Sequence, residues 1–234
     1  MIELKNVTKR YDSFTAVDDV SFSVKAGEYF ALLGPNGAGK TTIVKMLLDF
    51  TRPTTGSLSL NSIPSALPEC RKSIGYLAEN HHIPPYLTGW QYLLRCAELS
   101  AMDRSDAKDH CRRIVELIGM PGREESKVGT YSKGMVQRFG LGAALMGDPK
   151  LLILDEPTSG LDPLGIREIR QILESLKGQG VTVFLNSHML SEVEKICDTA
   201  AIINRGKLLV KDTISAIVTD GETLEDLFVR LVKG

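Results

Sequence analysis

The sequence predicts an α/β fold with a mixed central sheet, an antiparallel β edge subdomain and an inserted α-helical subdomain. Three observations support this prediction. The first thirty residues alternate between apolar and polar side chains, three later runs are almost continuously apolar, and helical spacing replaces the strand pattern between about residues 79 and 147. At 234 residues and 43% hydrophobic composition, the chain can bury the core that such a domain needs.

The β edge is predicted from period-2 alternation, the pattern of strands that bury one face. The apolar residues that would share the buried face are Ile2, Leu4, Val7, Val20, Phe22 and Val24. Residues 57–60 continue the pattern after the turn-forming sequence Pro-Thr-Thr-Gly at residues 53–56. These segments therefore indicate one antiparallel sheet.

The central strands are predicted at residues 29–33, 151–154 and 181–185, which are almost entirely apolar. Such runs are expected of parallel strands that are covered on both faces. Each run is followed by a loop rich in functional residue types, and ligands of open α/β sheets bind at the carboxyl ends of the strands. The three loops are therefore candidate ligand-binding loops.

Three helices are predicted where capping residues precede apolar residues three and four positions apart. The capping residues are Thr88 with Gln91, Asp162 with Pro163, and Thr223 with Asp226. The matching apolar faces are Trp90, Leu93, Leu94 and Ala97; Ile166, Ile169, Leu173 and Leu176; and Leu224, Leu227, Phe228, Leu231 and Val232. We expect the first helix in the inserted subdomain, the second against the sheet, and the third against its own domain or a partner.

The composition argues against several classes of protein. Lys and Arg number 28 against 29 Asp and Glu, so no overall field attracts nucleic acid or anionic lipid. The four cysteines are far apart in the sequence, which suggests neither a zinc site nor a disulfide framework. We expect no secretory signal and no membrane span, because neither pattern occurs in the sequence. If a membrane is involved, another chain must cross it.

A phosphate-binding loop is predicted directly after the apolar run of residues 29–33. Its residues are Gly34, Pro35, Asn36, Gly37, Ala38, Gly39, Lys40 and Thr41, which satisfy G-x-x-x-x-G-K-S/T before an amphipathic helix. Glycines let consecutive backbone N–H groups surround a polyphosphate, and the helix N-terminus adds positive potential. Lys40 would neutralise the β- and γ-phosphates, the Thr41 hydroxyl would ligate Mg²⁺, and Thr42 would add a phosphate contact.

Two adjacent acids, Asp155 and Glu156, follow the apolar run of residues 151–154. Asp155 is suited to hold Mg²⁺ through its water shell, and Glu156 to orient the water that attacks the γ-phosphate. Since adjacent side chains diverge, the two carboxylates are expected to have different roles. The sequence thus predicts an enzyme that hydrolyses a nucleoside triphosphate.

From residue 4 to residue 231 the chain resembles the ABC (ATP-binding cassette) family of ATPases. Residues 131–138, Tyr-Ser-Lys-Gly-Met-Val-Gln-Arg, stand where the family carries its signature motif, and residues 159–162 match its D-loop. The resemblance implies the P-loop ABC ATPase fold, with a RecA-like core of residues 1–78 and 148–234 and a helical subdomain of about 79–147. It further implies that Tyr11 stacks on adenine and that His188 contacts the γ-phosphate.

The sequence departs from the family's motifs at two places. The signature has Lys133 and Met135 where the common pattern has glycine and glutamine, while Ser132 and Gly134 are kept. We expect Lys133 to face solvent. Glu79 stands where most relatives have the glutamine that links the metal to the helical subdomain, and a carboxylate there can still approach Mg²⁺.

The resemblance also implies partners. Ser132 and Gly134 of one cassette would complete the ATP site of another, in a head-to-tail homodimer or a dimer with a similar cassette. The details of the signature and of Glu79 look like the ATP subunits of ABC-2-type exporters, which drive a separate transmembrane permease from the cytoplasmic face of the membrane. The apolar loop of residues 81–87 is a candidate groove for a permease helix.

Two other functions share part of this pattern. A soluble ABC ATPase acting on ribosomes or DNA would have the same motifs, but such relatives commonly carry tandem cassettes or coiled-coil insertions, and this chain has no basic tract for nucleic acid. A nucleotide-gated interaction module without turnover is disfavoured by Glu156 and His188. His81 and His82 are expected to be solvated loop residues without a metal.

Overall fold

The computed structural model describes residues 1–218 and 221–233. In chain order the elements are β1 (Ile2–Tyr11), β2 (Phe14–Val24), β3 (Tyr29–Leu33), α1 (Lys40–Leu47), β4 (Thr55–Leu60), β5 (Ile63–Pro64), β6 (Ile74–Leu77), α2 (Gly89–Leu99), α3 (Arg104–Leu117), α4 (Lys133–Ala144), β7 (Leu151–Asp155), α5 (Pro163–Leu176), β8 (Thr182–Asn186), α6 (Leu190–Ile196), β9 (Thr199–Asn204), β10 (Lys207–Thr213), α7 (Ile214–Ile217) and α8 (Leu224–Lys233). Short 3₁₀ turns lie at Pro68–Arg71 and Val128–Thr130.

The chain packs as two compact units. The first unit comprises Met1–Lys72 and Gly178–Gly234, and the second comprises Ser73–Lys177. The two units follow from how the residues pack, and their boundaries differ from those predicted for the core and the helical subdomain. The predicted boundaries at residues 79 and 147 therefore stay a prediction.

The first unit contains the predicted antiparallel sheet, with strands in the order β2-β1-β4-β5. Ile2 lies opposite Val24 on one side and Leu60 on the other, which fixes the register of the three longer strands. The six apolar residues predicted to share a face are all buried. Period-2 alternation thus identified the buried face correctly.

The first unit also contains the parallel strands that support the phosphate-binding loop. β3 pairs in parallel with β8 and with β9, and β10 closes this group antiparallel to β9. Every residue of β3 and β8 is buried. The rings of Phe22, Phe30 and Phe184 stack with centroids 5.3 and 5.4 Å apart and so join β2 to the parallel strands.

The second unit combines a parallel pair of strands, β6 and β7, with helices α2 to α5. β7 is buried along its whole length, as predicted. Gly75 of β6 lies so close to α4 that a Cβ on it would meet the backbone oxygen of Ala144. Helices α2, α3 and α4 lie between residues 79 and 147, where the sequence shows helical spacing.

The start of α2 is fixed by a capping box. The Thr88 hydroxyl accepts a hydrogen bond from the Gln91 backbone N–H at 3.1 Å, and the Gln91 side chain accepts one from the Thr88 N–H at 3.0 Å. We expect Thr88→Ala to lower the free energy of unfolding by about 1 kcal/mol, because it leaves a helix N–H without this acceptor. Urea unfolding checks the value, and Gln91→Ala, which keeps the Thr88 hydroxyl, should cost less.

The other two predicted helix starts are confirmed. The Asp162 carboxylate accepts from the Gly165 N–H at 2.7 Å and caps α5. Thr223, which precedes α8, exchanges hydrogen bonds with Asp226 in the first turn of the helix. The Leu224 N–H donates to the Glu194 carboxylate of α6 at 2.5 Å. Helix α8 therefore packs against α6 within the first unit.

No helix in residues 1–218 or 221–233 has both the length and the apolar character that crossing a bilayer requires. Within the same ranges, no cluster of three or more His, Cys, Asp or Glu side chains is arranged to hold a metal ion. The four cysteines are free, and burial raises the pKa of the Cys111 thiol to about 11. That thiol is accordingly protonated and unreactive near neutral pH.

Candidate active site

The phosphate-binding loop connects β3 to α1 in the first unit. Gly37 and Gly39 have φ angles of 80° and 107°, which L side chains rarely adopt. A Cβ on Gly39 would also meet the backbone oxygen of Ala16, and one on Gly34 would meet that of Ile203. The glycines are therefore required both by the backbone conformation and by the closeness of neighbouring strands.

Lys40 begins α1 and is buried, with 8% of its surface exposed. Its ammonium donates to the backbone oxygens of Gly34 at 2.6 Å and of Pro35 at 3.2 Å. The loop thus wraps around the lysine side chain and holds its charge within the ring of backbone groups. This places a positive charge where the motif predicts a phosphate-binding one.

The start of α1 fits a polyphosphate. Its N-cap is Gly39, which has no side chain to cap the helix, and the first N–H groups of any helix lack intrahelical acceptors. Thr41 is exposed and Thr42 is half-buried, so both residues reach the surface at this helix end. Backbone donors, a helix N-terminus and a lysine together form an anion-binding arrangement.

Tyr11 and His188 are also in the first unit. Tyr11 ends β1 with 43% of its surface exposed, lies opposite Phe14, and has the Lys9 ammonium 4.8 Å from its ring centroid. From Phe14, β2 continues to Ala16, the residue that lies against Gly39. His188 follows β8 and is exposed. Tyr11 and His188 are thus both exposed at the surface of the first unit.

The two predicted acids lie in the second unit. Asp155 is the last residue of β7 and is 7% exposed, and Glu156 is 9% exposed. Glu156 has a φ of 51°, a left-handed conformation that is uncommon for a non-glycine residue and that recurs at functional sites. Burial, and secondarily the Asp155 charge, raise the pKa of the neighbouring Tyr76 hydroxyl.

The signature residues begin α4 in the second unit. The Ser132 hydroxyl accepts from the Met135 N–H at 3.3 Å and caps the helix. Around Gly134 a Cβ would meet only the Ser132 hydroxyl at 4.0 Å, so this face of the helix is open. Glu79, two residues after β6, is exposed.

A surface cavity of about 410 Å³ opens beside the signature residues within the second unit. It is lined by Ser132, Lys133, Gly134, Met135, Arg138, Gly160, Leu161, Asp162, Leu164, Gly165 and Glu168. The N-terminal ends of α4 and α5 both contribute to it. The cavity therefore brings the predicted signature motif next to the predicted D-loop.

The structure shows two contacts that the sequence did not predict. Lys133 is exposed, as expected, but its ammonium lies against Gly160. The expectation that His81 is a solvated loop residue is wrong, because its ring nitrogens lie 3.2 Å from the Ala78 oxygen and 3.3 Å from the Val136 oxygen. Gly140 gives a signal for this second contact, since any Cβ there would meet the His81 ring.

A glycine-rich loop on parallel strands, together with a serine-capped signature helix, defines a nucleotide-binding cassette. The family model "ABC transporter" matches residues 17–159. The chain is 44% identical over 212 residues to an uncharacterized ABC transporter ATP-binding protein of Bacillus subtilis, covering 89% of this chain and 68% of the relative. It is 39% identical over 212 residues to the bacitracin transport ATP-binding protein of Bacillus licheniformis, with coverages of 89% and 68%.

Among solved structures, an ATP-binding subunit of an ABC transporter superposes with a TM-score of 0.89 at 29% identity and covers 99% of both chains. The chain belongs to the ABC transporter ATP-binding family. The predicted family, fold class, binding of ATP and classification as an ATPase are thereby confirmed. The chain spans between 59% and 68% of the length of three of its curated relatives.

Proposed function

We propose that the chain is the ATP-hydrolysing motor subunit of an ABC exporter and works with a separate transmembrane permease at the cytoplasmic face of the membrane. The observation that carries the proposal is the buried Lys40 ammonium, held by two loop carbonyls at the N-terminus of α1. A buried cation beside a helix N-terminus suits a polyphosphate. The bacitracin transport relative supports the transport role.

ATP binding is assigned to the first unit. Lys40 neutralises the β- and γ-phosphates, and backbone N–H groups of the loop and of the first turn of α1, among them those of Gly39, Thr41 and Thr42, surround them. The exposed ring of Tyr11 stacks on adenine, a contact stabilised by burial of two flat apolar faces. The affinity for ATP therefore has two sources: Lys40 and the loop bind the phosphates, and Tyr11 binds the adenine.

The residues present also fit Mg²⁺, because they offer the hard oxygen donors that this ion prefers. The Thr41 hydroxyl and the Asp155 carboxylate would hold it, and Glu79 would approach it through water. When bound, Mg²⁺ supplies positive charge that neutralises the β- and γ-phosphate oxygens.

Hydrolysis is assigned to Glu156 and His188. The Glu156 carboxylate accepts a proton from water while the water oxygen bonds to the γ-phosphorus and the bond to the β-phosphate oxygen breaks. The left-handed backbone at Glu156 costs free energy and fixes the direction in which its side chain leaves β7. The exposed His188 ring contacts the γ-phosphate.

The active unit is proposed to be a head-to-tail dimer of this chain with itself or with a similar cassette. Ser132 and the open face at Gly134 then address the γ-phosphate of ATP held by the other copy, where the N-terminus of α4 favours negative charge. Lys133 and Met135 differ from the common motif, but neither removes the helix end or the hydroxyl. ATP thus favours the closed dimer, and hydrolysis releases it.

The permease contact is assigned to the loop between β6 and α2. Ile83 and Leu87 are 7% and 5% exposed and anchor the loop, whereas Tyr86 is 68% exposed. An anchored loop with an outward aromatic ring suits a groove for a helix. We expect a photo-crosslinker at Tyr86 to capture the permease from membranes, while one at Phe50, which is 69% exposed in the first unit, does not. Equal capture at both positions contradicts the assignment.

Phosphate release tests the function as a whole. The purified chain with ATP and Mg²⁺ should release phosphate, and co-purification with a membrane protein should identify the permease. A chain that binds ATP without turnover, alone or with that membrane protein, is a nucleotide-gated interaction module instead. A chain that hydrolyses ATP but associates only with ribosomes or DNA is a soluble ABC ATPase.

A further inference from the structure

Lys133 lies against the loop that follows the catalytic carboxylate. It is the first residue of α4, and its ammonium occupies the space that a Cβ on Gly160 would take. The Lys133 Cε and Cδ atoms lie 3.5 and 4.0 Å from the same Cβ position. Gly160 has a φ of 65°, so the backbone there also requires a glycine.

Packing rather than an ion pair holds this contact. Within residues 1–218 and 221–233, the Lys133 ammonium makes no hydrogen bond or ion pair. The acids that line the same cavity have other partners, since Glu168 lies 3.5 Å from Arg138 and Asp162 caps α5. An exposed lysine in such a contact contributes little to the free energy of unfolding, so stability does not account for it.

Short turns connect Gly160 to Glu156. The Ser159 N–H donates to the Glu156 oxygen at 3.1 Å, and the Leu161 N–H donates to the Thr158 oxygen at 3.3 Å. Asp162 then fixes the end of this segment on α5. A displacement of Gly160 is therefore transmitted to the backbone of Glu156, because the intervening residues form consecutive hydrogen-bonded turns.

We propose that Lys133 is a positioning residue for ATP hydrolysis, which holds the loop of residues 156–162, and with it Glu156, against the N-terminus of α4. The proposal rests on the proposed function, in which Ser132 faces the γ-phosphate of ATP on the other copy. Lys133 directly follows Ser132 in the chain. The arrival of that phosphate is thereby coupled to the placement of the carboxylate that acts on the cassette's own ATP.

Lys133→Met removes the ammonium and keeps a long unbranched side chain. We expect kcat for phosphate release to fall by about five- to tenfold with KM for ATP within about twofold, because a misplaced catalytic group affects turnover more than binding. Lys133→Arg should retain most of the activity, and Lys108→Met, an exposed lysine on α3, should retain all of it. A fall in thermal stability that matches the loss of kcat would show a merely structural role.

Gly160→Ala tests the contact from its other side, because the added Cβ displaces the Lys133 ammonium. Alanine also strains the positive φ at this position, so the effect of Lys133→Met is measured within each background rather than against the wild type alone. If the contact carries the effect, Lys133→Met reduces kcat much less in the Gly160→Ala background than in the wild type. Equal fold-reductions in both backgrounds overturn the proposal.

Dimerisation separates this proposal from the proposed function. In the Glu156→Gln background, Lys133→Met should leave ATP-dependent dimerisation intact. Loss of the dimer only when Lys133 is also changed means that Lys133 serves assembly, which overturns the positioning role. Absence of phosphate release by the wild-type chain contradicts the proposed function, whereas an unchanged kcat in Lys133→Met contradicts the positioning role alone.

Discussion

Replacement of Lys40 by alanine is expected to weaken ATP binding by about 100-fold or more and to reduce phosphate release to background. Lys40 is 8% exposed and its ammonium donates to two loop carbonyls, so alanine removes the positive charge that the loop holds there. A charged hydrogen bond contributes about 1.5–3 kcal/mol, and two phosphates would lose one each. Equilibrium binding of labelled ATP measures the first effect, and a phosphate-release assay measures the second.

Lys45→Ala is the matched control for this variant, because Lys45 lies in the last turn of the same helix and is exposed. It should change ATP affinity by less than about twofold, since surface charges that far from a ligand are screened. Lys40→Arg keeps the charge, but its larger planar head does not fit where the lysine ammonium contacts Gly34. ATP binding at the wild-type level in Lys40→Ala would remove the basis of the proposed function.

The strand boundaries were predicted closely where the apolar run and the paired strand cover the same residues. Residues 29–33 form β3 as predicted, because both neighbours of the apolar run, Glu28 and Gly34, interrupt its pattern. The strand predicted at residues 181–185 is shifted by one and ends at Asn186. Asn186 is polar yet buried, and it continues the ladder opposite Leu32, which hydropathy alone does not reveal.

The site was predictable to the extent that it depends on local sequence. The loop around Lys40 follows from glycine spacing, since its conformation is set by consecutive residues. Contacts between distant residues were not predictable: Lys133 meets Gly160, and His81 meets Val136, across 27 and 55 positions of the sequence. The hydrophobic periodicity of the sequence does not predict such pairs, because they form only when separate elements pack together.

The left-handed backbone of Glu156 was predictable only in part. The sequence marks the residue, because two acids end a buried strand, but nothing local requires a positive φ for a glutamate. The conformation persists because β7 is fully buried on one side and a hydrogen-bonded turn to Ser159 follows on the other. The tertiary structure therefore imposes a geometry that local preference disfavours, as expected at a functional site.

Glu156→Gln is expected to retain ATP while phosphate release falls by about 100- to 1,000-fold. Glutamine has the size and backbone preferences of glutamate, so the left-handed turn after β7 should persist. It cannot accept the proton of the attacking water, and loss of a general base costs about 10²- to 10⁴-fold in rate. With hydrolysis blocked, the closed dimer no longer reopens, and size-exclusion chromatography with light scattering in ATP and Mg²⁺ should show a stable dimer.

Glu116→Gln is the matched control, because Glu116 is exposed on α3 in the same unit and loses the same charge. It should hydrolyse ATP at the wild-type rate and show no ATP-dependent dimer beyond that of the wild type. If Glu156→Gln hydrolyses ATP as fast as this control, the base lies elsewhere in the chain. If it neither hydrolyses nor retains ATP, the buried carboxylate supports the fold of the second unit rather than the reaction, because a catalytic base contributes to turnover and not to the grip on the phosphates.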